Sequence, residues 1–322
     1  MADRLNIIVS CTNRKSRQIP NPLQLRSLAH LEVGERFEQW RERLDGRFAK
    51  PGAAKTLYQG DHWQVALALP KCAARNDIEA RLWVCSAGYG LVPLEAELQP
   101  YAATFAAGHA DSIYTGTEDS SIYETSSRWW ELLTKWDGPE KKTPRSLTQL
   151  ITQFSTDAFL FVGSETYLNA VRHDLKQAVS RISDPDRFLL ISAGGGESPE
   201  LATYYAPVDA RYQSEVGGTL SALNVRVARL ALQLCKTGEF SRSDLQAKLS
   251  VKQESLPAFR TFNRDKITDE DVIEFVQGEL SDDGSVSKTA LLRVLRDSGR
   301  ACEQKRFFSL YRMAKQKLDD DN

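Results

Sequence analysis

The chain has 322 residues and a formal net charge of −1, with 41% hydrophobic and 26% charged residues. This length and composition are typical of a soluble globular protein with one large and one smaller domain, or two ordinary domains. No apolar stretch reaches transmembrane length, and the first residues, Met-Ala-Asp-Arg, do not form an apolar signal segment. We therefore expect a cytoplasmic location and no membrane partner.

Four short apolar runs in the first two-thirds of the chain each end in small polar residues. They are Leu5–Val9, Leu82–Cys85, Ala158–Val162 and Phe188–Ile191. Helical-looking segments lie between them, such as residues 28–44 and 165–179. This alternation predicts an α/β fold, with a mostly parallel sheet flanked by helices. Because ligands bind outside the carboxyl ends of such strands, we expect the four polar ends to converge on one crevice.

The first of these ends reads Ser10-Cys-Thr-Asn-Arg-Lys15. Asn13 offers both donor and acceptor groups, so it is a candidate catalytic residue that reads a base edge or positions a water. Capping the segment that follows is an equal alternative for it. Lys15 is a candidate phosphate ligand. Cys11 is a candidate substrate contact, although a buried structural cysteine is the commoner case.

The second end opens the segment Ser86-Ala-Gly-Tyr-Gly, which continues to Tyr101. Glycine can take φ > 0, so a sharp turn with free backbone amides is predicted, with a plain strand-to-loop connection as the alternative. The candidate substrate-binding residues here are Ser86, Tyr89, Gly90 and Tyr101. The two tyrosines could stack on a base, and Tyr101 also suits a packing role after Pro100.

Two acids near these motifs are candidate catalytic carboxylates, Glu97 and Asp61. A solvated loop acid is the alternative for Glu97. The third and fourth strand ends supply Ser164 and Ser192, which could bind phosphate with the adjoining backbone amides. Gly194–Gly196 lacks the Lys-Ser/Thr of a P-loop, which disfavours ATP hydrolysis.

The five cysteines and four histidines are scattered along the chain without Cys-x-x-Cys or metal-ligand spacing. An odd number of unpaired cysteines indicates neither a disulfide framework nor a zinc site. We therefore expect no metal and no cofactor.

We place an α/β base- or nucleotide-binding domain at residues 1–215 and a helical nucleic-acid-binding region at 216–322. Residues 286–318 hold nine basic and two acidic residues, a net charge of +7. Predicted helices at 287–296 and 302–317 are joined by a short glycine turn, which matches a helix-turn-helix. This hairpin is predicted to contact the phosphates of double-stranded DNA. The candidate contacts are Arg300, Lys305, Arg306 and Arg312; a solvated face or a protein-binding hairpin is the alternative.

The segment Cys85-Ser-Ala-Gly-Tyr-Gly-Leu-Val-Pro-Leu, with Gln99-Pro-Tyr101, resembles the Ser-x-x-Tyr-Gly-Leu…Pro…Pro-Tyr signature of the YaaA peroxide-stress proteins. Three further elements are similar to that family: Ser10–Lys15, Leu57-Tyr-Gln-Gly60 and Gly163-Ser-Glu-Thr-Tyr-Leu168. The resemblance covers residues 1 to about 215 and not the C-terminal helical region.

The resemblance implies DNA binding and a link to oxidative DNA damage. The wider superfamily resembles uracil-DNA glycosylases, and prokaryotic antiviral DNA glycosylases are one candidate relation. This chain lacks the Gly-Gln-Asp-Pro-Tyr and His-Pro-Ser signatures of uracil-DNA glycosylases. We expect an N-glycosylase that excises a modified base and leaves an abasic site, in antiphage defence or the DNA damage response. The alternatives are a non-catalytic DNA-binding stress-response protein and a nucleoside or tRNA base-modification enzyme.

The expected partner is double-stranded DNA, with modified phage DNA as one candidate substrate.

Overall fold

The computed structural model describes residues 3–116, 120–194, 198–259, 264–282 and 286–320. The chain forms two compact units, Met1–Ala258 and Phe259–Asn322. Within the described ranges, none of the helices is long and apolar enough to cross a membrane.

The strands are β1 (Arg4–Ser10), β2 (Gly52–Ala53), β3 (Glu79–Ser86), β4 (Gly90–Pro93), β5 (Glu97–Leu98), β6 (Ala158–Val162), β7 (Phe188–Ile191), β8 (Asp265–Lys266) and β9 (Arg300–Ala301). The main sheet has the order β4-β3-β1-β6-β7. Only β4 runs antiparallel to its neighbour in this sheet. Short β2 and β5 form a separate antiparallel pair.

The first unit contains α1 (Val33–Asp45), α2 (Ala54–Leu57), α3 (Asp61–Ala74), α4 (Ile122–Lys135), α5 (Leu147–Gln153), α6 (Glu165–Val179), α7 (Pro199–Ala202), α8 (Gln213–Val216), α9 (Leu223–Leu234) and α10 (Arg242–Ser255). The second contains α11 (Asp269–Asp282), α12 (Lys288–Asp297) and α13 (Gln304–Asp320). The predicted fold class is confirmed: a mostly parallel sheet flanked by helices, then a helical C-terminal region.

The parallel strands read as unbroken apolar runs because both of their faces are covered. All five residues of β6 are buried, as are residues 5–10 of β1. Ser10 pairs with Cys85 of β3, Val9 pairs with Val162 of β6, and Val162 pairs with Ile191 of β7. This register brings the carboxyl ends of the four parallel strands level along one edge of the sheet.

The first unit extends beyond residue 215, so the predicted domain boundary is wrong. Helix α9 buries Val225, Ala228 and Leu232 in the main core. It packs against α3 and against β6 and β7. Helix α10 follows it, and the Tyr212 hydroxyl donates to the carbonyl of Leu249 at 2.5 Å. Both helices therefore complete the α/β unit rather than begin the C-terminal one.

The second unit is a three-helix assembly with its own small core. Helices α11, α12 and α13 contribute Val276, Leu295 and Phe307, all fully buried. The turn between α12 and α13 contains Gly299 at φ +83, a conformation that favours glycine. After this turn, β9 pairs with β8 in parallel. The predicted helix pair with a glycine turn is therefore present.

Candidate active site

A buried set of hydroxyl and thiol groups lies where β1 and β3 end. The Cys11 Sγ is 3.1 Å from the Tyr167 hydroxyl and 3.4 Å from the Tyr101 hydroxyl. The Tyr101 hydroxyl is also 2.6 Å from the Ser86 Oγ and 3.1 Å from the Tyr58 hydroxyl. We call these five residues the tyrosine–thiol cluster. Elements as far apart as β1 and α6 contribute to it, so it exists only in the folded chain.

The three tyrosine hydroxyls of the tyrosine–thiol cluster are uncharged. Burial raises the pKa of Tyr58, Tyr101 and Tyr167 well above the usual value of 10, so these hydroxyls keep their protons at pH 7. Among the described residues, no carboxylate hydrogen-bonds to any member of the cluster. The tyrosine hydroxyls therefore hydrogen-bond within the cluster without adding a negative charge.

The Lys15 ammonium group lies over two aromatic rings of the tyrosine–thiol cluster. Its Nζ lies 4.4 Å from the centroid of the Tyr101 ring and 5.0 Å from that of Tyr58. It donates to the Thr12 carbonyl at 2.6 Å and to the Asn13 carbonyl at 3.4 Å. In the part of the chain that the structure describes, Lys15 forms no ion pair. Burial lowers the pKa of Lys15 from 10.5 to about 8.

Asn13 lies beside Lys15 in the exposed loop after β1. Its side-chain amide forms no hydrogen bond with any described residue, and no helix begins at the segment that follows. The capping alternative is therefore excluded, and the Asn13 amide is open to a ligand.

The Gly-Tyr-Gly turn is packed into the core. A Cβ at Gly88 would lie 2.4 Å from the Tyr101 ring, and Gly90 has φ +75, so each position requires glycine for its own reason. The Trp40 and Trp129 indole N–H groups donate to the carbonyls of Gly88 and Ala87. The turn's backbone is thus bound by protein groups.

The predicted substrate contacts within this turn need correction. Ser86 and Tyr101 are fully buried and Tyr89 is 2% exposed. The Ser86 Oγ accepts from the backbone N–H of Tyr89 at 3.0 Å, and the Tyr89 hydroxyl accepts from the backbone N–H of Gln99 at 3.1 Å. The tyrosine rings are therefore enclosed and not open to stacking on a base. Gly90 is buried as well, so these four residues pack inside the protein rather than contact a ligand.

Neither predicted carboxylate joins the cluster. Glu97 is exposed on β5, and among the described residues its side chain forms no hydrogen bond or ion pair. Asp61, the first residue of α3, is bound by Arg226 of α9, whose Nη2 lies 2.6 Å from its Oδ1. Asp61 therefore ties two helices together with its charge already paired.

His62, which the sequence did not single out, lies next to the cluster. Its Nε2 is 3.1 Å from the carbonyl oxygen of Ser10. A carbonyl only accepts, so Nε2 carries the hydrogen and Nδ1 is left with a free lone pair. Burial lowers the pKa of His62 below 6.5, so the ring is neutral at pH 7. A lone histidine outside any motif gave no sequence signal.

The ends of β6 and β7 are joined by Asn224 of α9. Its Nδ2 donates to the Gly163 carbonyl at 2.7 Å, and its Oδ1 accepts from the Ala193 N–H at 2.8 Å. Nearby, Ser192 is 2% exposed and its Oγ has no hydrogen-bond partner in the described chain. Ser164 is exposed at the start of α6 without capping it. Phosphate binding by these two serines stays a prediction.

The four predicted DNA contacts divide into two pairs. Arg306 is bound to Asp269, with Nη2 2.6 Å from the carboxylate, and Arg300 lies over the Phe275 ring at 5.9 Å. Lys305 and Arg312 are exposed, and neither forms an ion pair with a described residue. The first pair contacts acidic or aromatic side chains of its own unit, and the second pair forms neither kind of contact with a described residue.

No protein-family model matches this sequence, and no curated protein is significantly similar to it. Among the described residues, no group of three or more His, Cys, Asp or Glu side chains is placed to hold a metal ion.

Proposed function

We propose that this protein is a DNA base-processing enzyme that hydrolyses an N-glycosidic bond and leaves an abasic site. The observation that carries the proposal is the Lys15 ammonium group, which is held without an acidic partner beside the free Asn13 amide. A half-buried cation of this kind is costly, and an anionic ligand or transition state would offset the cost. The cleaved bond joins C1′ of the sugar to a base nitrogen.

Lys15 and Asn13 would act on the departing base. As the C1′–N bond breaks, negative charge develops on the base, and positioned donors stabilise that charge most in the transition state. The Lys15 ammonium supplies a charge, and the Asn13 amide supplies both a donor and an acceptor for one base edge. The Tyr58 and Tyr101 rings contact the Lys15 ammonium without forming an ion pair with it, so its charge stays available to the base.

His62 would activate the attacking water. Its free Nδ1 and lowered pKa make it a base that stays unprotonated at pH 7. The water oxygen bonds to C1′, its proton passes to His62, and the base leaves with the bonding electron pair. The departing base takes a proton from solvent, His62 returns its proton to solvent, and the sugar carries a new hydroxyl at C1′.

The resemblance to YaaA proteins supports this proposal from a second direction. Three elements similar to that family, Ser10–Lys15, Leu57–Gly60 and Gly163–Leu168, contribute Lys15, Tyr58 and Tyr167. These three residues meet at the tyrosine–thiol cluster. Modified phage DNA, or damaged host DNA, is the proposed substrate, and the cytoplasm is the proposed location. A non-catalytic DNA-binding protein would not need a half-buried lysine without an ion-pair partner in the described chain, so we favour the enzyme.

Incubation with unmodified, oxidised or hypermodified phage DNA, followed by mild alkali, tests the proposal. We expect strand breaks with one of these DNAs, and their loss in Asn13→Ala and Lys15→Met. Lys55→Met is the matched control, because Lys55 is exposed and paired with Glu95 at 2.7 Å. Tight DNA binding without breaks in any DNA would contradict the enzyme and favour the non-catalytic alternative. Activity on tRNA or nucleosides alone would favour base modification.

A further inference from the structure

We propose that the second unit holds duplex DNA by its phosphates in a groove between the start of α12 and α13, whereas Arg300 and Arg306 take no part. Its basic and aromatic lining residues are Lys288, Lys305, Phe308 and Arg312. This inference rests on the proposed function only in taking DNA as the partner. It concerns a site separate from the base-processing chemistry.

Helix α13 has two opposite faces. Phe307, Leu310 and Ala314 are buried in the core of the second unit. Lys305, Arg312 and Lys315 are exposed and recur at helical spacing on the other side. They span ten residues, which is about 15 Å at 1.5 Å per residue. That length meets several consecutive phosphates of one strand, and a helix of this width fits the major groove.

The cations of this face have no acidic partner in the described chain. Lys305, Arg312 and Lys315 form no ion pair with any described residue, and the Lys288 Nζ lies over the Phe308 ring at 4.7 Å. The groove measures about 490 Å³ and has Glu303 as its one acidic lining residue. The Glu303 carboxylate accepts from the Arg306 backbone N–H at 2.8 Å, so it caps α13. The groove therefore keeps a net positive charge.

The other side of the second unit has the opposite character. A groove of about 590 Å³ is lined by Asp271, Glu274 and Glu279, with Arg300 as its basic residue. Arg306 is tied to Asp269 and to the Ile267 carbonyl at 3.0 Å. Phosphates would be repelled by this acidic surface, so charge in the sequence alone does not make a residue a DNA contact.

Binding of the full-length chain to duplex DNA, measured across a series of salt concentrations, tests the groove. Each lost phosphate contact lowers the slope of log K against log salt by about 0.9 in magnitude. We expect a reduction of about 2.7 for Lys288→Gln/Lys305→Gln/Arg312→Gln, with at least a tenfold weaker Kd at low salt. Arg300→Gln removes one charge from the same unit and should leave the slope unchanged.

The proposal that this groove binds DNA would be overturned by an unchanged slope in the triple variant, by an equal loss per charge in Arg300→Gln, or by no binding of duplex DNA by the unsubstituted chain. Tighter binding of duplex RNA than of duplex DNA would also overturn it. Circular dichroism before and after melting checks that the triple variant is folded. Strand breakage assayed at saturating DNA separates the two proposals, because failure of the groove leaves base excision intact.

Discussion

Lys15→Met should stabilise the fold and abolish the proposed activity, because the half-buried amine destabilises the native state. The folded environment lowers the pKa of Lys15 from 10.5 to about 8. At about 1.4 kcal/mol per pKa unit, holding the charged amine costs the native state about 3 kcal/mol. Methionine has a similar length and no charge, so it fills the same space without this cost.

The sign of the pH dependence follows from the two pKa values. Between pH 8 and pH 10.5 the unfolded chain binds the Lys15 proton and the folded chain does not. The stability of the unsubstituted protein therefore rises with pH across this window. Burial of Tyr58, Tyr101 and Tyr167 has the opposite effect above pH 10, but it acts in both proteins and cancels in their difference.

Urea unfolding of both proteins at pH 7, 8, 9 and 10 measures this difference. We expect Lys15→Met to be more stable at pH 7 by up to about 3 kcal/mol, and the advantage to shrink by about 2 to 3 kcal/mol by pH 10. Lys55→Met, at an exposed ion pair, should show no such trend. A difference that is flat with pH, or a variant less stable at pH 7, would refute the reasoning.

Three further changes test other parts of the site. His62→Gln should lower the rate of base release about 100-fold and remove the acidic limb of the pH–rate profile below pH 6.5; an unchanged limb would exclude His62 as the base. Gly88→Ala should cost about 1–3 kcal/mol in urea unfolding, because its Cβ meets the Tyr101 ring, whereas Gly34→Ala, at an open position, should not. Asn224→Ala should cost about 1–3 kcal/mol by leaving the Gly163 carbonyl and Ala193 N–H unbonded; an unchanged midpoint would show that water replaces it.

Local sequence patterns were sufficient to predict the sheet and the edge where its parallel strands end. Buried parallel strands are continuous apolar runs, so the ends of β1, β3, β6 and β7 could be located from the sequence. Helix α6 begins and ends at the predicted residues, Glu165 and Val179. The boundary at residue 215 failed because an amphipathic helix does not show which core it covers, and α9 covers the sheet.

The contacts that define the site are long-range and could not be predicted in the same way. The Cys11–Tyr167 contact joins residues 156 positions apart, and the Asp61–Arg226 ion pair joins residues 165 apart. Tyr58 and Tyr167 belong to two of the sequence motifs, but no pattern within either motif indicates that the two side chains join the same cluster. Arg306 counted as a free cation until its pairing with Asp269 was visible.

Direct detection of the released base tests the central claim. Duplex DNA carrying the modification that gives strand breaks would be incubated with the protein, and free base would be quantified by mass spectrometry against the number of abasic sites. We predict one free base per abasic site, and neither product with Lys15→Met although that variant still binds DNA. Abasic sites or breaks without free base, or full activity in Lys15→Met, would contradict base excision at this site.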